Sequence, residues 1–142
     1  MNMTTPSSGR QALALLLLRW LPGLVFLSEG IQKFLFSESL GVGRFTKIGF
    51  ANPAFWASFT GGFEIGCGLL LVVGLFTRWA TLPLLIVMGV AFVTTKWPEW
   101  VDKGFWVLAH DVRADFAMTV TLVVVLLLGA GRWSLDGKKG RA

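Results

Sequence analysis

Apolar residues dominate four stretches of the chain, about 12–36, 54–76, 79–96 and 112–131, and segments rich in glycine, proline and charge separate them. Roughly 20 apolar residues rising 1.5 Å each cross the ~30 Å hydrocarbon layer of a bilayer. The pattern therefore predicts an all-α integral membrane protein, a four-helix transmembrane bundle. The first stretch sets the terms for the rest. Residues 13–36 (LALLLLRWLPGLVFLSEGIQKFLF) are interrupted by Arg19, Glu29 and Lys33, and each such charge costs about 2.5–3.5 kcal/mol at mid-membrane on insertion scales. At 100° per residue, Arg19, Pro22, Gly23, Phe26, Glu29, Gly30 and Lys33 fall on one side, opposite a mostly Leu, Val and Ile side. One face is expected in lipid and the other in a protein interior.

The second stretch carries Glu64 near its middle, with Ala57, Thr60, Gly61, Cys67 and Gly68 on the same face. Small residues on one face let membrane helices approach closely. The run Gly74-Leu75-Phe76-Thr77-Arg78 makes a turn so short that the third helix must be an antiparallel neighbour of the second. Pro83 falls in the first turns of the third stretch, where it is tolerated. Residues 1–11 read as a mobile polar tail, residues 37–53 as a loop, and residues 132–142 as a frayed basic tail. Residues 97–111 (WPEWVDKGFWVLAHD) mix tryptophans with acids and bases, the mark of a segment lying at headgroup level before the chain returns.

Composition sharpens this picture. The chain has 142 residues, 54% hydrophobic and only 15% charged, against about 25% charged in a soluble domain. There is room for one domain. The first apolar run is too long and too charged near its end for a signal peptide, and no A-x-A-like cleavage site follows it. The formal charge of +5 suits basic ends against an anionic leaflet; no basic patch interleaved with aromatics points to nucleic acid. Four spans put both termini on one side with Arg10, Arg78, Arg132, Lys138, Lys139 and Arg141. Arg44, Lys47, Lys96, Lys103 and Arg113 lie on the other. The basic C-terminal cluster places both termini in the cytoplasm. One cysteine and one histidine leave no internal disulfide, no cysteine-pair metal site and no all-protein zinc or haem site.

Three segments, FLSEGIQK (26–33), EIGCGLLLVVGLFTR (64–78) and GAGRWSLD (129–136), resemble the DoxX family of small four-helix integral membrane proteins. They are similar to its Gly-x-x-Lys ending of helix one, its Glu-x-x-Gly-Gly…Gly-Leu-x-x-Arg helix-two pattern, and its Gly-Pro-Gly-Arg-aromatic-Ser-Leu-Asp ending. Cys67 stands where a glycine is usual and Ala130 where a proline is usual. The resemblance implies a bacterial inner-membrane protein. The family takes its name from a subunit of a thiosulfate:quinone oxidoreductase, and relatives accompany sulfur-transfer and oxidative-stress proteins. It therefore implies a membrane subunit of a quinone- or sulfur-linked redox complex that is not catalytic alone, with no intrinsic cofactor beyond a possible quinone contact.

The candidate chemistry lies in Glu29, Lys33, Glu64 and Asp115. Position along each span puts Lys33 about 5 Å, Glu29 about 10 Å, Glu64 about 15 Å and Asp115 about 5 Å below the non-cytoplasmic helix ends, at 1.5 Å per residue. These four are expected to form one intramembrane polar pocket. A buried ionic cluster that fixes which helix faces which is the plainer reading. A pocket for a quinone or small sulfur species is the sharper one, because reduction of a quinone consumes two protons and a buried carboxylate can relay them. A solute or proton pathway is a third. Accordingly the chain is read as a redox-linked subunit, as a purely structural or assembly subunit of a larger membrane complex or homo-oligomer, or as a small-solute transporter. Arg19, Arg78 and Arg132, with Trp97, Trp100 and Trp106, are expected as interface anchors. For Arg19 this means snorkelling to headgroups, or else pairing with Glu64 or a lipid phosphate. Asp111, Arg113 and Asp115 suit the start of the fourth helix, His110 a surface position, and Cys67 a packing role.

Overall fold

The computed structural model describes residues 8–139. The tail expected over residues 1–11 falls outside the described residues as far as residue 7, and its residues 9–11 are helical. α1 (Gly9–Leu35) begins where the Ser8 Oγ accepts the Gln11 N–H and the Gln11 side chain accepts the Ser8 N–H. This reciprocal capping box starts the helix ahead of position 12. The loop expected over residues 37–53 contains a short helix, α2 (Val42–Ile48), closed by Gly49 at φ 95°. α3 (Pro53–Val73) follows with proline in its first turn. Pro53 steers Asn52 out of the right-handed helical region, and Asn52 takes the left-handed one at φ 60°.

α4 (Thr77–Ala91) does not stop at the membrane surface. It passes through a π turn (Phe92–Lys96), where the Trp97 N–H reaches back to the Phe92 carbonyl, into α5 (Trp97–Lys103). Pro98 has no N–H, and its ring crowds the carbonyl one turn back; a wider turn just before it relieves both. Residues 97–103, expected to lie on the membrane, thus continue the third helix. Gly104, at φ 88° and ψ 175°, breaks the chain direction before α6 (Phe105–Asp111). α6 runs on into α7 (Arg113–Leu128), because the Val112 N–H donates to the Leu108 carbonyl at 2.9 Å and the Phe116 N–H to the Val112 carbonyl at 2.7 Å. The tail expected to fray over residues 132–142 folds in its described part into α8 (Leu135–Lys139), with Ser134 only 5% exposed; residues 140–142 lie outside the described residues.

α1, α3, α4 and α7 share one core of Phe26, Cys67, Leu71, Ala80, Leu84, Met118, Leu122 and Val125. In lipid, close packing rather than water exclusion holds helices together. α1 and α3 accordingly meet through glycine: a Cβ on Gly30 would lie 2.8 Å from the Gly61 carbonyl oxygen. Cys67 is buried in this core, as a small packing residue would be. Among the described residues, three helices are long and apolar enough to cross a membrane, Gly9–Leu35, Pro53–Val73 and Thr77–Lys103. Leu17, Leu24, Ile86, Phe116 and Leu127 turn outward from the bundle.

Candidate functional site

Polar groups gather at both ends of the bundle. At the end where α1 finishes and α3 begins, the Lys33 Nζ stands 2.7 Å from the Glu64 Oε2, with the two side chains 12% and 4% exposed. α1 delivers Lys33 from its last turn, and α3 delivers Glu64 from the same face as Ala57 and Gly61. Close glycine packing brings the two backbones near enough for direct contact. Arg44 and Glu29 are the other charges whose fields reach Glu64.

The expected four-residue pocket divides here. Asp115 pairs with Lys96 of the π turn at 3.9 Å, and the Lys96 Nζ also approaches the Asp111 carbonyl at 3.5 Å. That pair ties the third helix to α7 and is more open than Lys33–Glu64. Asp115 sits in the first turn of α7, where the helix dipole favours its charge, but its side chain makes no capping hydrogen bond there. Glu29 is exposed and forms no ion pair among the described residues. At 100° per residue it lies about 80° around the helix from Arg19, at the edge of the buried face. His110 is exposed, and its carbonyl accepts from the Arg113 Nη1. Among the described residues, no three His, Cys, Asp or Glu side chains stand together as a metal site.

The other end is organised by two residues that lock backbone. Arg19, expected to snorkel or to pair with Glu64 or a phosphate, is 1% exposed and turns inward. Its guanidinium donates to the carbonyls of Ala130 (3.0 Å), Trp133 (3.1 Å) and Val72 (3.3 Å). It is therefore not an interface anchor. It neutralises the carbonyl-rich ends of α3 and α7, where a cation is favoured. Arg78, by contrast, is exposed, and its Nη2 donates to the Leu127 carbonyl at 3.1 Å. Arg132 is exposed too. Trp97 and Trp100 are exposed and meet edge to face at 4.9 Å, while Trp106 is 82% exposed beside Phe105.

Asp136, given no role from the sequence, performs the second lock. Its carboxylate accepts the Phe76 N–H, the Thr77 N–H (both 2.9 Å) and the Thr77 hydroxyl (2.8 Å), while its own N–H donates to the Gly74 carbonyl. This satisfies the free N–H groups at the start of α4 and holds Phe76 at φ 46°, a conformation a phenylalanine rarely adopts. Partial burial works to raise the Asp136 carboxyl, but the Thr77 and Phe76 donors and the Lys139 charge outweigh it and hold it below its usual value. A depressed carboxyl stabilises the fold fully above the ordinary Asp value near 4 and loses that contribution as pH falls through the folded-state value. Asp136→Ala is expected to cost about 2 kcal/mol, the upper part of the range for a lost N-cap. The variant's unfolding in mild detergent should also be flatter than wild type between about pH 5 and pH 3.

A bundle of long apolar helices with a buried Arg19 and an inward Lys33–Glu64 pair defines a polytopic α-helical membrane protein. The chain belongs to the DoxX family, whose model matches residues 14–97. It is 48% identical over 125 residues to the "uncharacterized membrane protein Rv3486" of Mycobacterium tuberculosis, covering 84% of this chain and 77% of that one. It is 32% identical over 75 residues to an "uncharacterized protein" of Haemophilus influenzae, covering 53% of this chain and 47% of that one. No solved structure matches it significantly.

Proposed function

We propose that the chain is a subunit of a redox-linked complex in a bacterial inner membrane, one that works with a partner protein rather than alone. In this reading α6 and α7 together form a fourth crossing, since residues 105–128 rise about 36 Å at 1.5 Å per residue. Both termini then lie in the cytoplasm. The observation that carries the proposal is the Lys33–Glu64 pair, an acid and a base in contact within the membrane, with Lys33 the more open of the two. A quinone head would be held by the Lys33 ammonium donating to a carbonyl oxygen, and when bound it would supply a two-electron, two-proton couple. Glu64 holds the ammonium in place and can take up or release a proton at Oε2. Electrons come from the partner.

A second reading, of a structural or assembly subunit, is favoured by how deeply Glu64 is sealed, at 3% exposed. It is also favoured by the outward positions of Ala54, Ser58, Gly62 and Gly66 on α3, a surface that another helix can approach closely. Purification from native membranes in mild detergent, with mass spectrometry of bound quinone and co-purifying proteins, separates the two. The redox reading expects stoichiometric quinone in wild type and its loss in a folded Glu64→Gln variant. A stable complex whose quinone content ignores that substitution assigns the chain the structural role.

A further inference from the structure

At the Lys33–Glu64 end, α2 and the residues before it face the π turn across a groove of about 700 Å³, lined by Glu38, Ser39, Arg44, Lys47, Thr94 and Thr95 among others. That volume lies within the roughly 300–1,000 Å³ of small-molecule clefts. Arg44 and Lys47 face one carboxylate, Glu38, and none of the three forms an ion pair among the described residues. The lining of the groove is therefore net positive, although the Arg44 charge also reaches Glu64. On the facing wall, the Thr95 hydroxyl oxygen is buried with no hydrogen-bond partner, whereas the Thr94 hydroxyl is satisfied by the Val90 carbonyl. Burying an unpaired hydroxyl costs stability, and π turns often mark functional positions. The aromatic chain Phe45–Phe50–Trp56, with ring centroids 5.2 and 6.1 Å apart, flanks α2 and sets the groove at headgroup level.

We infer that this groove binds a phosphate oxyanion. The Arg44 guanidinium offers a planar fork suited to two phosphate oxygens and Lys47 a second positive charge; the buried, unpartnered Thr95 hydroxyl on the opposite wall becomes a donor on turning about χ1. Glu38 also lines the groove and offsets part of the attraction these two cations exert on an anion. The phosphate can belong to a lipid headgroup or to a free phosphate compound, and both present the same oxygens to these residues. The groove stands whether or not Lys33–Glu64 handles protons.

The test uses the full chain, stripped of lipid in a neutral detergent and titrated separately with phosphatidylglycerol and with inorganic phosphate. Thermal stabilisation and native mass spectrometry report binding. Saturable binding is expected in wild type. It should weaken by roughly tenfold or more in Arg44→Gln/Lys47→Gln, as two lost surface cations predict, and be unchanged in Lys103→Gln, a lysine paired with Glu99 elsewhere. Thr95→Val should weaken it several-fold without lowering the unfolding temperature. A response to phosphatidylglycerol alone identifies a lipid ligand; a response to inorganic phosphate identifies a soluble one. Binding of neither probe, or binding that both the double variant and Thr95→Val leave unchanged, overturns the inference.

Discussion

Lys33→Met is expected to lower stability by about 3–5 kcal/mol, because among the described residues no other cation pairs with the Glu64 carboxylate. Lys33→Met/Glu64→Leu should recover most of that loss, since replacing both members of a buried pair with apolar groups of similar size is often close to neutral. Denaturant or thermal unfolding in one detergent, run as a double-mutant cycle, gives the coupling directly. A single variant that loses less than about 1 kcal/mol would mean that the pair behaves as a surface bridge. A double variant that stays stable but no longer retains quinone would separate the pair's functional role from its structural one.

The second large effect is expected at Arg19. Its guanidinium reaches three carbonyls at 3.0–3.3 Å from a position 1% exposed. Arg19→Leu leaves the Ala130 and Trp133 carbonyls without this donor, whereas Val72 keeps the Trp20 indole N–H at 3.0 Å. Each stranded buried group costs about 1–3 kcal/mol, so the variant should lose about 4 kcal/mol and yield little monodisperse protein on size exclusion. Arg19→Lys should rescue only part of this, because one ammonium on a flexible stem cannot span three acceptors that a planar fork meets together. Full recovery by lysine would show that charge alone matters at this position.

The parts of this architecture legible in the sequence are those that break an apolar background. Lys33 and Glu64 stand out because few other charges lie within the first two spans, and their meeting follows from the glycine-lined faces of α1 and α3. Glu29 lies at the exposed edge of the α1 face; a helical wheel gives an angle but not the width of the buried arc. The route of residues 97–103 was hidden by Pro98, which signals a helix break as readily as the π turn that accommodates it. The lock built by Arg19 and Asp136 left no local trace. Arg19 binds main-chain carbonyls, which every residue possesses, and Asp136 caps a helix 59 residues away in the chain. Recognition of the GAGRWSLD segment marked the position of Asp136 but not its task.

The Arg19 clamp also sets the order in which the protein can be made. Its partner Ala130 lies 111 residues downstream, so α1 reaches the bilayer with its guanidinium bare while nearly all of the chain is still to be synthesised. A bare arginine costs up to about 2.5–3.5 kcal/mol on insertion scales, the value at mid-membrane, which weakens the first segment's hold on the hydrocarbon. The last spans, not the first, thus complete α1's residence in the membrane. A ribosome-stalled or truncated chain ending before residue 130 should leave α1 beside the insertion machinery, open to extraction and proteolysis.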